Sequence, residues 1–168
     1  MWALRTIMLL ALVVWIGGII FFAFVMAPTL FTVLPSTRMA GEVVSPALTK
    51  LHWMGLISGI LFLLCSLVYN WNKYSQLRLF TATHIFIVIM LALTAVSQFA
   101  ITPAIRKTRV QAVLTDHVLT ADEVRQMQTD MQERFQRLHA WSTRTEGAVL
   151  VLGLGTIILV ARRWDQSR

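Results

Sequence analysis

Hydrophobic positions gather into four long blocks separated by polar stretches, each near the roughly 20 apolar residues that cross a bilayer as a helix. The spans are placed at about 6–34, 51–70, 79–103 and 142–161. Arg5 ahead of the first resembles a signal-peptide start, but the run outlasts an h-region and is read as an uncleaved span. Pro28 is expected to bend or end span one near an interface, and Pro103 to kink span three. Trp15, Gly18, Phe22 and Met26 share a helical face. Gly55 and Gly59 have small-xxx-small spacing, which suits packing within one bundle or dimerisation.

The polar stretches are read as connections. Pro35 to Lys50, with Gly41, Glu42 and Pro46, is one; Asn70 to Arg78 is a short turn that makes spans two and three antiparallel neighbours. Thr120 and Glu123 fit a capping box. After it, Val124, Met127, Met131, Phe135 and Leu138 recur at spacings of three and four, an amphipathic helix that nothing interrupts before span four. One helix from Ala121 to Ala161 would be about 60 Å long. The expected fold is therefore all-α: a single four-span transmembrane bundle, with spans three and four extended beyond the membrane as a helical hairpin at about 104–141.

Composition narrows the class. The 168 residues are 57% hydrophobic with a mean hydropathy of +0.67, too apolar for a soluble domain and too short for more than one membrane unit. The net charge of +7 belongs to basic ends and loops beside anionic headgroups, since no nucleic-acid motif accompanies it. The lone Cys65 lies within an apolar run and allows no internal disulfide. Compact basic clusters beside spans one and four assign the termini to the cytoplasm, although a raw count of basic residues favours the hairpin there.

The candidate chemistry follows from the alternating direction of the spans. The start of span two, the end of span three and the start of span four share one membrane face. His52, Gln98, Thr102, Arg106, His139, Ser142 and Glu146 thus lie at similar depth. Helices of a small bundle pack about 8–10 Å apart, so these side chains can meet. In the last span His139, Ser142, Thr143 and Glu146 share a face, and Arg144 points away. If it faces the bundle, Glu146 needs a proton or a cation, for which Arg106 is the obvious candidate. Plainer readings stand beside these: His52 as an interfacial neighbour of Trp53, Arg106 as a snorkelling basic residue, Ser142 bonding back to a carbonyl. His84 lies about 21 Å along span three from Gln98, near the opposite face, and His117 falls in a turn.

At these residues the chain resembles the bacterial domain-of-unknown-function membrane proteins related to eukaryotic transmembrane protein 205. The likeness rests on Trp15-Ile-Gly-Gly18, Lys50-Leu-His52, Pro103-x-x-Arg106 and Arg137-Leu-His139-x-x-Ser142. It implies a four-span membrane protein, with no established biochemical activity; where that family often shows Asn, this chain has Glu146. A looser likeness, mainly through Trp15-Ile-Gly-Gly18, is to copper-resistance D-type and haem-binding protoporphyrinogen-oxidase-like membrane proteins, and it implies haem ligation by histidine.

Three functions follow. The first is a bacterial inner-membrane protein whose polar pocket binds or passes a small ion or polar ligand. The second is a redox protein holding haem b or a transition metal through His52 and His139. The third is an interaction protein, docking a partner or a second copy of itself through the hairpin. No nucleophile with an adjacent base is evident, so no catalytic residue is assigned.

Overall fold

The computed structural model describes residues 2–74, 82–105, 107 and 121–165. Helix α1, Trp2–Phe21, passes through a π-helical turn, Phe22–Met26, into α2, Ala27–Val33. Helix α3 spans Thr37–Tyr74, and α4, Ala82–Val96, runs into a second π-helical turn, Ser97–Ile101. Helix α5 spans Ala121–Asp165. No strand occurs among the described residues. Four segments are long and apolar enough to cross a membrane: Trp2–Val33, Thr37–Asn72, Ala82–Ile105 and Thr129–Arg162.

Both prolines expected to disturb their spans do so by widening the helix upstream. A proline has no N–H, and its ring collides with the carbonyl four residues earlier. For Pro28 that carbonyl is on Phe24, and for Pro103 on Phe99, each inside a π-helical turn. The Ala27 N–H reaches back to the Phe22 carbonyl and the Thr102 N–H to that of Ser97, so the helix absorbs one extra residue instead of ending.

The connection expected over Pro35 to Lys50 is instead helical from Thr37 onward. The break is confined to the residues around Pro35. Leu34, held extended at φ −81° and ψ 142°, cannot stay helical beside a following proline. Ser36 then restarts the chain: its hydroxyl accepts the Met39 N–H at 3.3 Å and its carbonyl the Ala40 N–H at 3.1 Å. Pro46 is carried inside α3. The uninterrupted helix expected from Ala121 is present as α5. The opposing arm of the hairpin, with Arg106 and His117, lies outside the described residues, as does the turn after Tyr74.

The core is a narrow apolar seam of Leu12, Trp15, Ile16, Phe62, Ile87, Met90 and Val149. Trp15 is its keystone. A Cβ added at Gly59 would stand 2.6 Å from the Trp15 ring, and one at Gly55 would also meet the indole. The Gly55/Gly59 pair is thus taken up inside the bundle, with Gly18 under Leu51 and Met54, and Gly153 under Ile16 and Met90. Gly55→Val is expected to cost about 1–3 kcal/mol through overpacking against Trp15, measured as thermal or SDS-induced unfolding in detergent.

Outside this seam the surface is apolar on every span. Leu10, Val13, Ile57, Leu64, Val88, Val151 and Ile158 are all exposed, an arrangement suited to lipid and costly in water. The exposed Trp53 and Trp71 lie about 27 Å apart along α3 by helical rise. That approaches the roughly 30 Å of bilayer hydrocarbon, and interfacial tryptophans mark its edges. The end near Trp53 is called the near face below, and the end near Trp71 the far face.

Candidate functional site

His52 is the centre of the near face. Its neighbour Leu51 packs under Gly18, so the start of the membrane-facing part of α3 is drawn tightly against α1. The imidazole is 1% exposed. Its Nδ1 lies 3.0 Å from Oε1 of Gln98, from the second π-helical turn, and its Nε2 lies 2.6 Å from Oε1 of Glu146 on α5. Side chains from three spans therefore meet at one ring. The π turn supplies Gln98: the extra residue before Pro103 resets which positions of this span face inward. On the lipid side the sequence neighbours of the first two partners, Trp53 and Phe99, pack edge to face at 6.0 Å.

The hydrogen-bond inventory fixes what this network holds. When the Gln98 amide oxygen faces Nδ1, that nitrogen donates. One proton must then lie between Nε2 and the carboxylate, giving either an imidazolium beside a carboxylate or a neutral imidazole beside a carboxylic acid. In both forms the pair is neutral, which suits burial in hydrocarbon. Gln98 also satisfies the deprotonated pair: with its amide turned, the NH2 donates to Nδ1 while Nε2–H faces the carboxylate. The site can thus gain or lose a proton without stranding a buried donor.

The other expected members are distributed differently. Thr102 is buried, and its hydroxyl donates to the Ser97 carbonyl at 2.9 Å, sharing it with the Thr102 N–H. Ser142 is buried beside the network. His139 is exposed, its ring stacked parallel on Phe135, and about 10 Å along α5 from Glu146. The buried positions at this end of α5 are Ser142, Thr145 and Val149, whereas His139 and Thr143 are exposed. His52 and His139 are therefore not brought together as a ligand pair, and both ring nitrogens of His52 are already engaged. Among the described residues no group of three or more His, Cys, Asp or Glu side chains could hold a metal ion. Arg106, the expected partner of Glu146, lies outside the described residues; among the described ones His52 meets the Glu146 carboxylate.

Sequence reasoning missed three buried hydroxyls at this end. Thr145 donates to the Trp141 carbonyl at 2.6 Å. Thr94 and Ser97 are buried without any hydrogen-bond partner. Their signal was present: Thr94, Ser97 and Gln98 repeat at helical spacing on one face of an otherwise aliphatic span. A second polar group lies near the far face. His84 is buried and its Nε2 lies 2.9 Å from the Ser66 hydroxyl. Nearby in α3, the Tyr69 hydroxyl accepts from the Arg5 guanidinium at 3.1 Å.

Fold and site together define an integral membrane helical bundle built around a buried imidazole, His52, held by Gln98 and Glu146. The chain belongs to the family described as a domain of unknown function (DUF4149), which it matches over residues 10–113. The match takes in His52 and Gln98 and ends before Glu146. No curated protein and no solved structure matches the chain.

Proposed function

We propose that this protein binds and passes a small ion at its near face, and that the ion is the proton shared by His52 and Glu146. One observation carries the reading: a ring buried to 1% exposure is held at both nitrogens by side chains from two other spans. Ionisable groups at membrane depth are costly and recur in proton and ion relays. A purely mechanical clamp between helices would be met by apolar packing, whereas Gln98 accommodates two protonation states of the ring. The near-face tryptophan beside His52 supports a position just beneath the headgroups, within reach of water.

The reading extends to the proteins related to transmembrane protein 205 through the motifs around His52, Pro103 and Ser142. The basic flanks of spans one and four support a bacterial inner-membrane location with cytoplasmic termini. A small polar ligand is the second candidate for the same pocket, since the donors and acceptors that hold a proton also hold a hydrogen-bonding guest.

Infrared difference spectroscopy of the protein in lipid, across an acid-to-alkaline step, tests the proposal. The expected spectrum contains carboxyl and imidazole bands that vanish together in Glu146→Gln. If Glu146→Gln leaves the spectrum unchanged, the network exchanges no proton and the proposal fails.

A further inference from the structure

Hydroxyls in these spans generally bond within their own helix. Thr29, Thr143, Thr145 and Thr156 each donate to the carbonyl four residues back, at 2.6–3.0 Å. Thr94 has the same option in the Met90 carbonyl and does not take it; its hydroxyl is buried without a partner at 2% residue exposure. Ser97, 0% exposed, also has an unpartnered hydroxyl. An unmade hydrogen bond in a dry interior carries the full desolvation penalty of the group. Two such groups on one helix face point to a guest with donors and acceptors of its own.

The spacing indicates the guest's size. Side chains three residues apart on a helix have Cβ atoms about 5–6 Å from each other. One water making two hydrogen bonds of about 2.8 Å spans that interval. Ser97 directly precedes Gln98, so this water would lie alongside the His52 network, on the side toward the bundle centre. Farther along the same buried face come Met90 and Ile87, both 0% exposed, and then His84 with Ser66. The axial distance from Thr94 to His84 is about 15 Å. Polar groups thus approach the membrane centre from each face and are separated there by two apolar side chains, the arrangement of a gate that closes by dewetting. Met90 is a flexible side chain packed on Gly153, whose added Cβ would lie 3.2 Å from its methyl group.

We propose that Thr94 and Ser97 hold water as the inner arm of the His52–Gln98–Glu146 site, and that this arm leads protons to the Ser66–His84 pair through a dry gate of Met90 and Ile87. The proposal rests on the proton-binding reading above and adds a direction and a gate to it. A proton arriving at the near face joins the His52–Glu146 pair, and one leaves the pair for the water between Ser97 and Thr94. When the gate wets, that water passes a proton to the hydrogen-bonded Ser66–His84 pair, which releases one toward the far face. Only O–H and N–H bonds form and break, and one positive charge crosses per proton.

The test is proton flux in proteoliposomes containing a trapped pH-sensitive dye, driven by a valinomycin-clamped potassium potential. Wild type is expected to acidify the lumen faster than empty liposomes. Thr94→Val/Ser97→Ala is expected to fall to the empty-liposome rate, and Met90→Ser to exceed wild type. Circular dichroism and size exclusion confirm that each variant is folded. Flux in Thr94→Val/Ser97→Ala equal to wild type overturns the inner arm. So does the absence of flux from both wild type and Met90→Ser. If the infrared bands of the His52–Glu146 pair persist in either case, only the path is lost; if those bands are absent, the reading beneath it falls.

Discussion

Glu146→Leu is expected to destabilise the folded protein by about 1–3 kcal/mol, the cost of leaving a buried imidazole nitrogen without its partner. The imidazole it leaves behind is 1% exposed and retains a single partner, Gln98. Unfolding in mixed micelles of mild detergent and SDS reads this loss. Replacing His52, Gln98 and Glu146 together by leucine is expected to restore stability to near the wild-type level, because no buried polar group is then orphaned. The same triple variant is expected to lose the proton-exchange bands. Recovery of stability without recovery of proton exchange separates the network's chemistry from any role as a clamp. Independent, additive losses at the three positions would instead show that they do not act as a unit.

Trp15→Ala is the second large effect, expected at about 3–5 kcal/mol through loss of a buried aromatic ring and the cavity it leaves. Trp15 is 1% exposed and fills the groove cut by Gly55 and Gly59. The groove predicts a change of sign. Gly55→Leu is expected to destabilise the wild type, where its Cβ meets the Trp15 indole, and to stabilise Trp15→Ala, where it fills the vacated space. Thermal unfolding of the four proteins in one detergent measures this. Destabilisation by Gly55→Leu in both backgrounds would contradict the packing described.

Much of the fold was legible because lipid leaves few alternatives. Four apolar runs of sufficient length must be helices, and the uninterrupted periodicity from Ala121 gave α5 as one element. The Pro35 to Lys50 segment was misread because Gly41 and Pro46 look like loop punctuation. Ser36 acts there as a cap, and Pro46 is carried within the helix. The grouping of His52, Gln98 and Glu146 followed from span direction and depth alone. The pairing within the group did not: sequence cannot reveal that one imidazole meets Glu146 at one nitrogen and, through a π turn, Gln98 at the other. His139 shares a helical face with Ser142 and Glu146 and is nonetheless exposed, which a helical wheel cannot foresee.

Solid-state NMR of the protein in lipid bilayers, with labelled histidine and glutamate, tests the central claim most directly. The account predicts a strong dipolar coupling between Nε2 of His52 and the side-chain carboxyl carbon of Glu146, abolished in Glu146→Leu. It also predicts that Nδ1 of His52 reports a hydrogen bond lost in Gln98→Leu. A His52 ring with no coupling to Glu146, and nitrogen shifts unchanged by either substitution, would contradict the claim that three spans converge on this imidazole.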